Sequence, residues 1–254
     1  MTVAGNPAHG WRMKKFLGLL LLLPFALHSE DADPLHIHFI SGSEEYRSES
    51  SLKKFGERLE EGYHVELSAS WVQDHATDLP NLDRIPETDV LVVFARRMKL
   101  PEEQMEIIRA HWEAGKPVVG IRTASHAFSR AENKTFDRKI LGGNYDGHFG
   151  GTPVTVRSTE AGDAHPILKG VGPFTSEKLY RAGPLAESAV VLQEGTSEAD
   201  EATHDVTWVN TRNDARVFYT SLGVPGDFED ENFLTMLENA LFWTAKADPS
   251  DYRR

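Results

Sequence analysis

The chain has 254 residues, 40% of them hydrophobic, a formal net charge of −12 and no cysteine. That length supports one substantial core and is tight for two domains. The acidic balance argues against a nucleic-acid partner, and the lack of thiols excludes a disulfide framework, a cysteine nucleophile and a thiolate metal site.

At the N-terminus Arg12, Lys14 and Lys15 precede an apolar run from Phe16 to Leu27 that ends at His28-Ser29. This is the pattern of a secretory signal peptide over residues 1–29, with Met13 as an alternative start. The run is too short for a stable membrane span, which needs ~20 residues. Export to the periplasm or the cell exterior is therefore expected, with residues 30–254 as one domain. Removing residues 1–29, which hold three cations and no acids, takes the formal charge from −12 to −15.

"LHIHFISG" (Leu35 to Gly42) reads as a first strand, and "SESSLKKFGERLEEG" as a helix with Leu52, Phe55 and Leu59 on one face. "YHVELSA" is a second strand, and "DVLVVFA" a third of the nearly continuous apolar type buried on both sides of a parallel sheet. A helix follows from Pro101 to Gly115 with Met105, Ile108 and Trp112 as its stripe, and then the short strand "KPVVGI". The second half is β-rich: "TPVTVRS", "AVVLQEG", "DVTWVNT" and "ARVFYTSLG", the last two joined by a hairpin at Asn213-Asp214. "ENFLTMLENALFWTAKA" closes the chain as an amphipathic helix. The alternation predicts an α/β fold, a mostly parallel, doubly wound sheet in a single domain, with ligands beyond the carboxyl ends of its strands.

Four stretches carry candidate chemistry. "VVGIRTASHAF" places Arg122 at a strand-to-helix elbow, either as a forked donor to a polarised oxygen or paired with a carboxylate while Ser125 caps the turn. Ser125 and His126 are adjacent, so their side chains are expected to diverge. "LGGNYDGHFGG" has five glycines in eleven residues and offers Tyr145, Asp146 and His148, on a binding loop or a flexible surface loop. "DAHPILKGVGPFTSEKLY" contributes His165, Glu177 and Tyr180, the last two expected on one side of a helical turn. In "FYTSLGVPGDFEDENF", Asp227 is placed towards a cleft, while Glu229 and Asp230 complement the final helix dipole. His126, His148, His165 and His204 are enough imidazoles for a metal, yet they lack a tight ligand spacing, so no metal is expected.

Together with "SGSEEYRSESSLKKFGERLE", these segments, in this order over about residues 35–246, resemble the ThuA-like family of trehalose utilisation. The resemblance implies a class I glutamine amidotransferase-like fold and a small-molecule carbohydrate as partner, with homo-oligomerisation left open. It puts Arg122 where the amidotransferases hold their cysteine and Val224 near the place of their catalytic histidine. The thioester route to glutamine hydrolysis thus has neither nucleophile nor base. The residues that match the family are Arg122, His126, His148, His165, Glu177 and Tyr180. Arg122, His126 and His148 are the expected catalytic groups; Tyr145, His165, Glu177, Tyr180 and Asp227 are expected to hold substrate, without a cofactor. The alternatives are a sugar-binding module, suggested by Val224, and a metal-dependent hydrolase.

Overall fold

The structure is a computed structural model that describes residues 1–2, 33–198, 202–212 and 214–254. The expected signal segment, apart from its first two residues, lies outside the described residues.

The apolar runs of the first half become four parallel strands: β1 (Leu35–Gly42), β2 (Val65–Trp71), β3 (Val90–Ala95) and β4 (Val118–Ile121). Their neighbour order is β2-β1-β3-β4. Every residue of β3 is buried, because apolar layers cover both faces. On one face pack α1 (Ser48–Gly62) and the last helix of the chain, Glu231–Thr244; Leu52, Phe55 and Leu59 of α1 meet Val90, Val92 and Phe94 of β3 in that core. The opposite face takes α2 (Glu102–Glu113), whose Met105, Ile108 and Trp112 pack in one core with Leu91 and Val93.

After β4 the chain makes a 3-10 turn (Arg122–His126), the short α3 (Arg130–Thr135) and a π-helical turn over Phe136–Leu141. The strands β5 (Pro153–Ser158), β6 (Phe174–Glu177), β7 (Ala189–Ser197), β8 (Thr203–Arg212) and β9 (Ala215–Thr220) follow, with α4 (Glu160–Asp163) after β5 and α5 (Glu231–Thr244) last. β9 inserts beside β4 in parallel, and the sheet continues β9-β8-β7-β5-β6 with every pairing antiparallel.

The sheet is therefore mixed, which corrects the expected mostly parallel arrangement: four neighbour pairings are parallel and four antiparallel. The reason lies in the connections. Parallel neighbours need a crossover of a dozen or more residues, whereas β8 and β9 are joined by two residues, with Asp214 at φ 64° as a primed hairpin turn requires. The tightest steric need for glycine lies in this half. A Cβ on Gly162 of α4 would stand 2.0 Å from the Leu192 carbonyl oxygen, so the helix can lie on β7 only through that bare Cα.

Candidate functional site

Strands β1, β3, β4 and β9 deliver their carboxyl ends to one edge of the sheet. Where β2 and β3 leave opposite sides of β1, the order reverses, and such a crevice is where open sheets hold ligands. The exit of β3 is tied to the turn after β4: Arg97 N–H donates to the His126 carbonyl at 2.8 Å and Met98 N–H to that of Ala127 at 2.7 Å.

Arg122 takes the elbow at φ 45°, a region uncommon for residues other than glycine. Its guanidinium carbon lies 4.1 Å from the Tyr46 ring centre and 4.6 Å from that of Tyr180. Nη1 donates to the Ser221 carbonyl at 2.7 Å, and both Nη atoms reach the Lys178 carbonyl at 3.3 Å. Tyr219 Oη donates to the carbonyl of Arg122 itself at 2.7 Å. With no exposed surface and no carboxylate ion-paired to it among the described residues, Arg122 fastens β4, β9 and the 178–180 segment together. Tyr180, expected as a substrate contact, is 2% exposed with one face given to this cation.

Beyond the elbow the 3-10 turn brings Ser125 and His126 together, against the expectation that adjacent side chains diverge: Ser125 Oγ and His126 Nδ1 are 3.1 Å apart. Tight i→i+3 winding, rather than an α-helical or extended path, allows it. The His126 ring stacks on Tyr145 with centres 4.2 Å apart and planes 15° from parallel, and Tyr145 in turn contacts Tyr180 at 4.8 Å. Burial, followed by the charges of Arg97, Arg96, Arg122 and His148, holds the His126 imidazole down to about 3. The ring is neutral at ordinary pH.

The glycine-rich stretch is anchored rather than flexible at its start. Trp208 Nε1 donates to the Leu141 carbonyl at 2.8 Å and Asn210 Nδ2 to that of Ile140 at 2.9 Å. Gly142 sits at φ 80°, and a Cβ on Gly143 would meet Asp137 Oδ1 at 2.8 Å. Asp137 is 5% exposed, accepts from the Tyr145 N–H at 2.7 Å and leaves Oδ1 unpaired; burial pushes its carboxyl up to about 7.

Two clefts flank the elbow. The first, of about 740 Å³, is lined by Ser125, His126, Tyr145, Asp137 and Asp146, with cations around them. The second, of about 550 Å³, holds Glu177, Val224 and Asp227. The Tyr46–Arg122–Tyr180 stack stands between them: Tyr180 touches His126 and Tyr145, and Tyr46 adjoins Glu45 and Arg47 of the second cleft.

The expected residues thus divide. Glu177 ends strand β6 instead of starting a helical turn, and Lys178 at φ 54° turns the chain, so Glu177 and Tyr180 do not share a side. Asp227, 1% exposed, accepts from the Gly223 and Val224 N–H groups at 2.6 and 3.0 Å and shapes the turn after β9. His148 is exposed and forms a backbone bridge to Tyr180. His165 lies elsewhere: it packs edge-on against Trp243 at 4.8 Å, whose carbonyl accepts from Arg216 at the amino end of β9. Among the described residues no three His, Asp or Glu side chains converge as a metal site.

These features define an open-sheet α/β protein with a buried arginine at the exit of its fourth strand and a cleft on either side of it. The chain belongs to the ThuA family, described as trehalose utilisation, whose profile matches residues 37–244. Membership associates it with carbohydrate metabolism.

Among solved structures it is similar to a ThuA-like protein from Bacteroides uniformis ATCC 8492, with TM-score 0.64 and 17% identity over 86% of this chain and 94% of that one. A second, from Parabacteroides merdae ATCC 43184, gives TM-score 0.60 and 15% identity over 84% and 90%. A β-galactosidase from Rahnella sp. R3 gives 0.57 and 14%, over 86% of this chain and 32% of that one. At these identities the likeness is one of fold. A comparison with curated proteins finds no match.

Proposed function

We propose that the chain acts on a disaccharide, glycoside or keto-sugar in the cleft beside His126, with that imidazole accepting a proton and Tyr145 facing the sugar. The observation that carries this reading is the Ser125–His126–Tyr145 arrangement. Ser125 Oγ donates to the Arg122 carbonyl at 3.3 Å, so it is free to accept from His126 Nδ1–H. This tautomer leaves the Nε2 lone pair as the acceptor for a sugar hydroxyl. Aromatic rings beside hydrogen-bonding groups suit a sugar, which has apolar faces and polar edges. We keep His148, whose charge reaches His126, as the second proton carrier. We read the parallel half as the class I glutamine amidotransferase type of sheet, on the elbow after β4; without a cysteine it supports no glutaminase.

Proton NMR of the protein incubated with disaccharides and 3-keto glycosides tests the reading. New sugar signals are expected, with His126→Gln lowering kcat/KM by roughly 100-fold or more and Ser125→Ala by roughly 10-fold, both at unchanged melting temperature. Broadened sugar lines without product point instead to a non-catalytic sugar-binding module, a reading favoured by Val224 in the turn after β9 and by the weak basicity of the buried His126.

We also propose export, on the basic-then-apolar pattern of residues 12–29. None of the described helices is long and apolar enough to cross a membrane. The mass of the protein recovered after secretion checks this: it is expected to begin near residue 30, and a retained Met13–Ser29 segment contradicts it.

A further inference from the structure

The cleft beside His126 is lined by Arg97, Lys99, Arg130, Lys134 and Arg138. All five are exposed, and none is ion-paired to a carboxylate among the described residues, whereas Arg58, Arg84, Arg96 and Arg109 each are. In a chain of net charge −12, such a concentration is not what composition alone would place around one cavity. Asp137 and Asp146 are the carboxylates of this cleft. Asp137 offsets the cations only in part, since burial keeps it substantially protonated near neutrality. The cations arrive from two separate segments, the exit of β3 and the 130–138 stretch, where α3 runs into the π-helical turn. Irregular turns of that kind recur at functional sites. Convergent like charges with few counter-charges focus a positive potential into a concave surface and leave it ready for an anion.

We propose that this cleft takes an anionic carbohydrate, a sugar carrying a carboxylate or a phosphate, with the charged group among these five cations and the ring against Tyr145 and His126. The assignment rests on reading this cleft as the carbohydrate site, and it names the class of sugar. It also gives His126 a condition for action. The charges that face the imidazole are Arg97, Arg96, Arg122 and His148. An anion bound beside Arg97 opposes them and makes the ring a better base, so that a charged substrate activates the group that receives its proton.

The test is calorimetric titration of the full chain with glucose, glucuronate, glucose 6-phosphate and inorganic phosphate, at low and at physiological ionic strength, followed by ring NMR of His126. One of the charged sugars is expected to bind at least roughly tenfold more tightly than glucose, with affinity falling as salt rises. Arg130→Ala/Arg138→Ala, two exposed positions, is expected to remove that advantage, and the His126 pKa is expected to rise on binding. The tighter of glucuronate and glucose 6-phosphate identifies the charged group. Glucose binding as tightly as the charged sugars overturns the anionic assignment and leaves the carbohydrate reading in place. Inorganic phosphate binding as tightly as glucose 6-phosphate upholds the anion site and overturns the carbohydrate reading. No binding by any of the four, or binding unmoved by the double substitution, overturns the proposal.

Discussion

Replacing Arg122 with alanine is expected to lower the unfolding free energy by about 3–5 kcal/mol, a loss typical of a buried, multiply bonded charge. The substitution strips the Ser221 and Lys178 carbonyls of their donors, and a buried polar group without a partner costs about 1–3 kcal/mol. It also empties the space between the Tyr46 and Tyr180 rings, where a desolvated cation–π contact contributes about 2 kcal/mol. Relief of the φ 45° strain does not follow, because alanine is as ill suited to that region as arginine. Arg122→Lys keeps the charge but not the planar fork, so it is expected to recover only part of the loss. Urea unfolding of the three proteins checks this, and an alanine variant with an unchanged midpoint would refute the clamp. The consequence reaches function: an Arg122 variant that loses activity has also lost this clamp, so Ser125 and His126 variants give the cleaner test of catalysis.

Stability is expected to fall steeply between pH 7 and pH 5, by about 3 kcal/mol, with three buried histidines as the main cause. His38, held between the Ser68 and Ser70 hydroxyls, is lowered to about 4, chiefly by burial, and His111, bonded to the Pro117 carbonyl, also to about 4. His126 is lowered to about 3. Each folded value lies below the unfolded 6.5, so the unfolded chain binds protons first as pH drops. Their contribution is whole above about 6.5 and is lost progressively towards the folded values. At pH 5 this amounts to about 2 kcal/mol per histidine. Asp137 works the other way. Its carboxyl, raised to about 7, makes the folded state bind a proton first and returns about 2–3 kcal/mol over the same interval. Urea titrations at the two pH values give the net effect, and ring NMR should show all three imidazoles without titration above pH 5. A stability profile flat from pH 8 to 5 would mean that these rings protonate without opposing the fold.

The elements were legible wherever a segment's own pattern decided its structure. The helix Ser48–Gly62, the wholly buried β3 and the inward face of Phe233, Met236, Leu237, Ala240 and Leu241 follow from periodicity alone. The direction of β7 and β8 was less so, because antiparallel pairing depends on which strands meet. In the site, the elbow was readable from "PVVGI" followed by a polar turn. The function of Arg122 was not, since its partners, Tyr46, Lys178, Tyr180 and Ser221, lie up to 99 positions away.

The separation of His165 from the other candidates has the same origin, as nothing local marks which edge of the sheet a loop reaches. Sequence reading also passed over Tyr46, Asp137 and the five cleft cations. A faint signal existed for Arg97 and Lys99, which follow the carboxyl end of a buried strand. For Arg130, Lys134 and Arg138 the signal was absent, because a π-helical turn has no periodicity of its own to read.

The position of β9 has a consequence for the order in which the chain can assemble. It is the middle strand of the sheet and nearly the last to be synthesised, so until residues 215–220 emerge β4 and β8 both present open edges. A growing chain therefore has no route to a closed sheet one half at a time: the parallel layer and the antiparallel layer become one body in a single late event of high contact order. Until then each half carries an unpaired edge strand, the condition under which partly folded chains pair with one another.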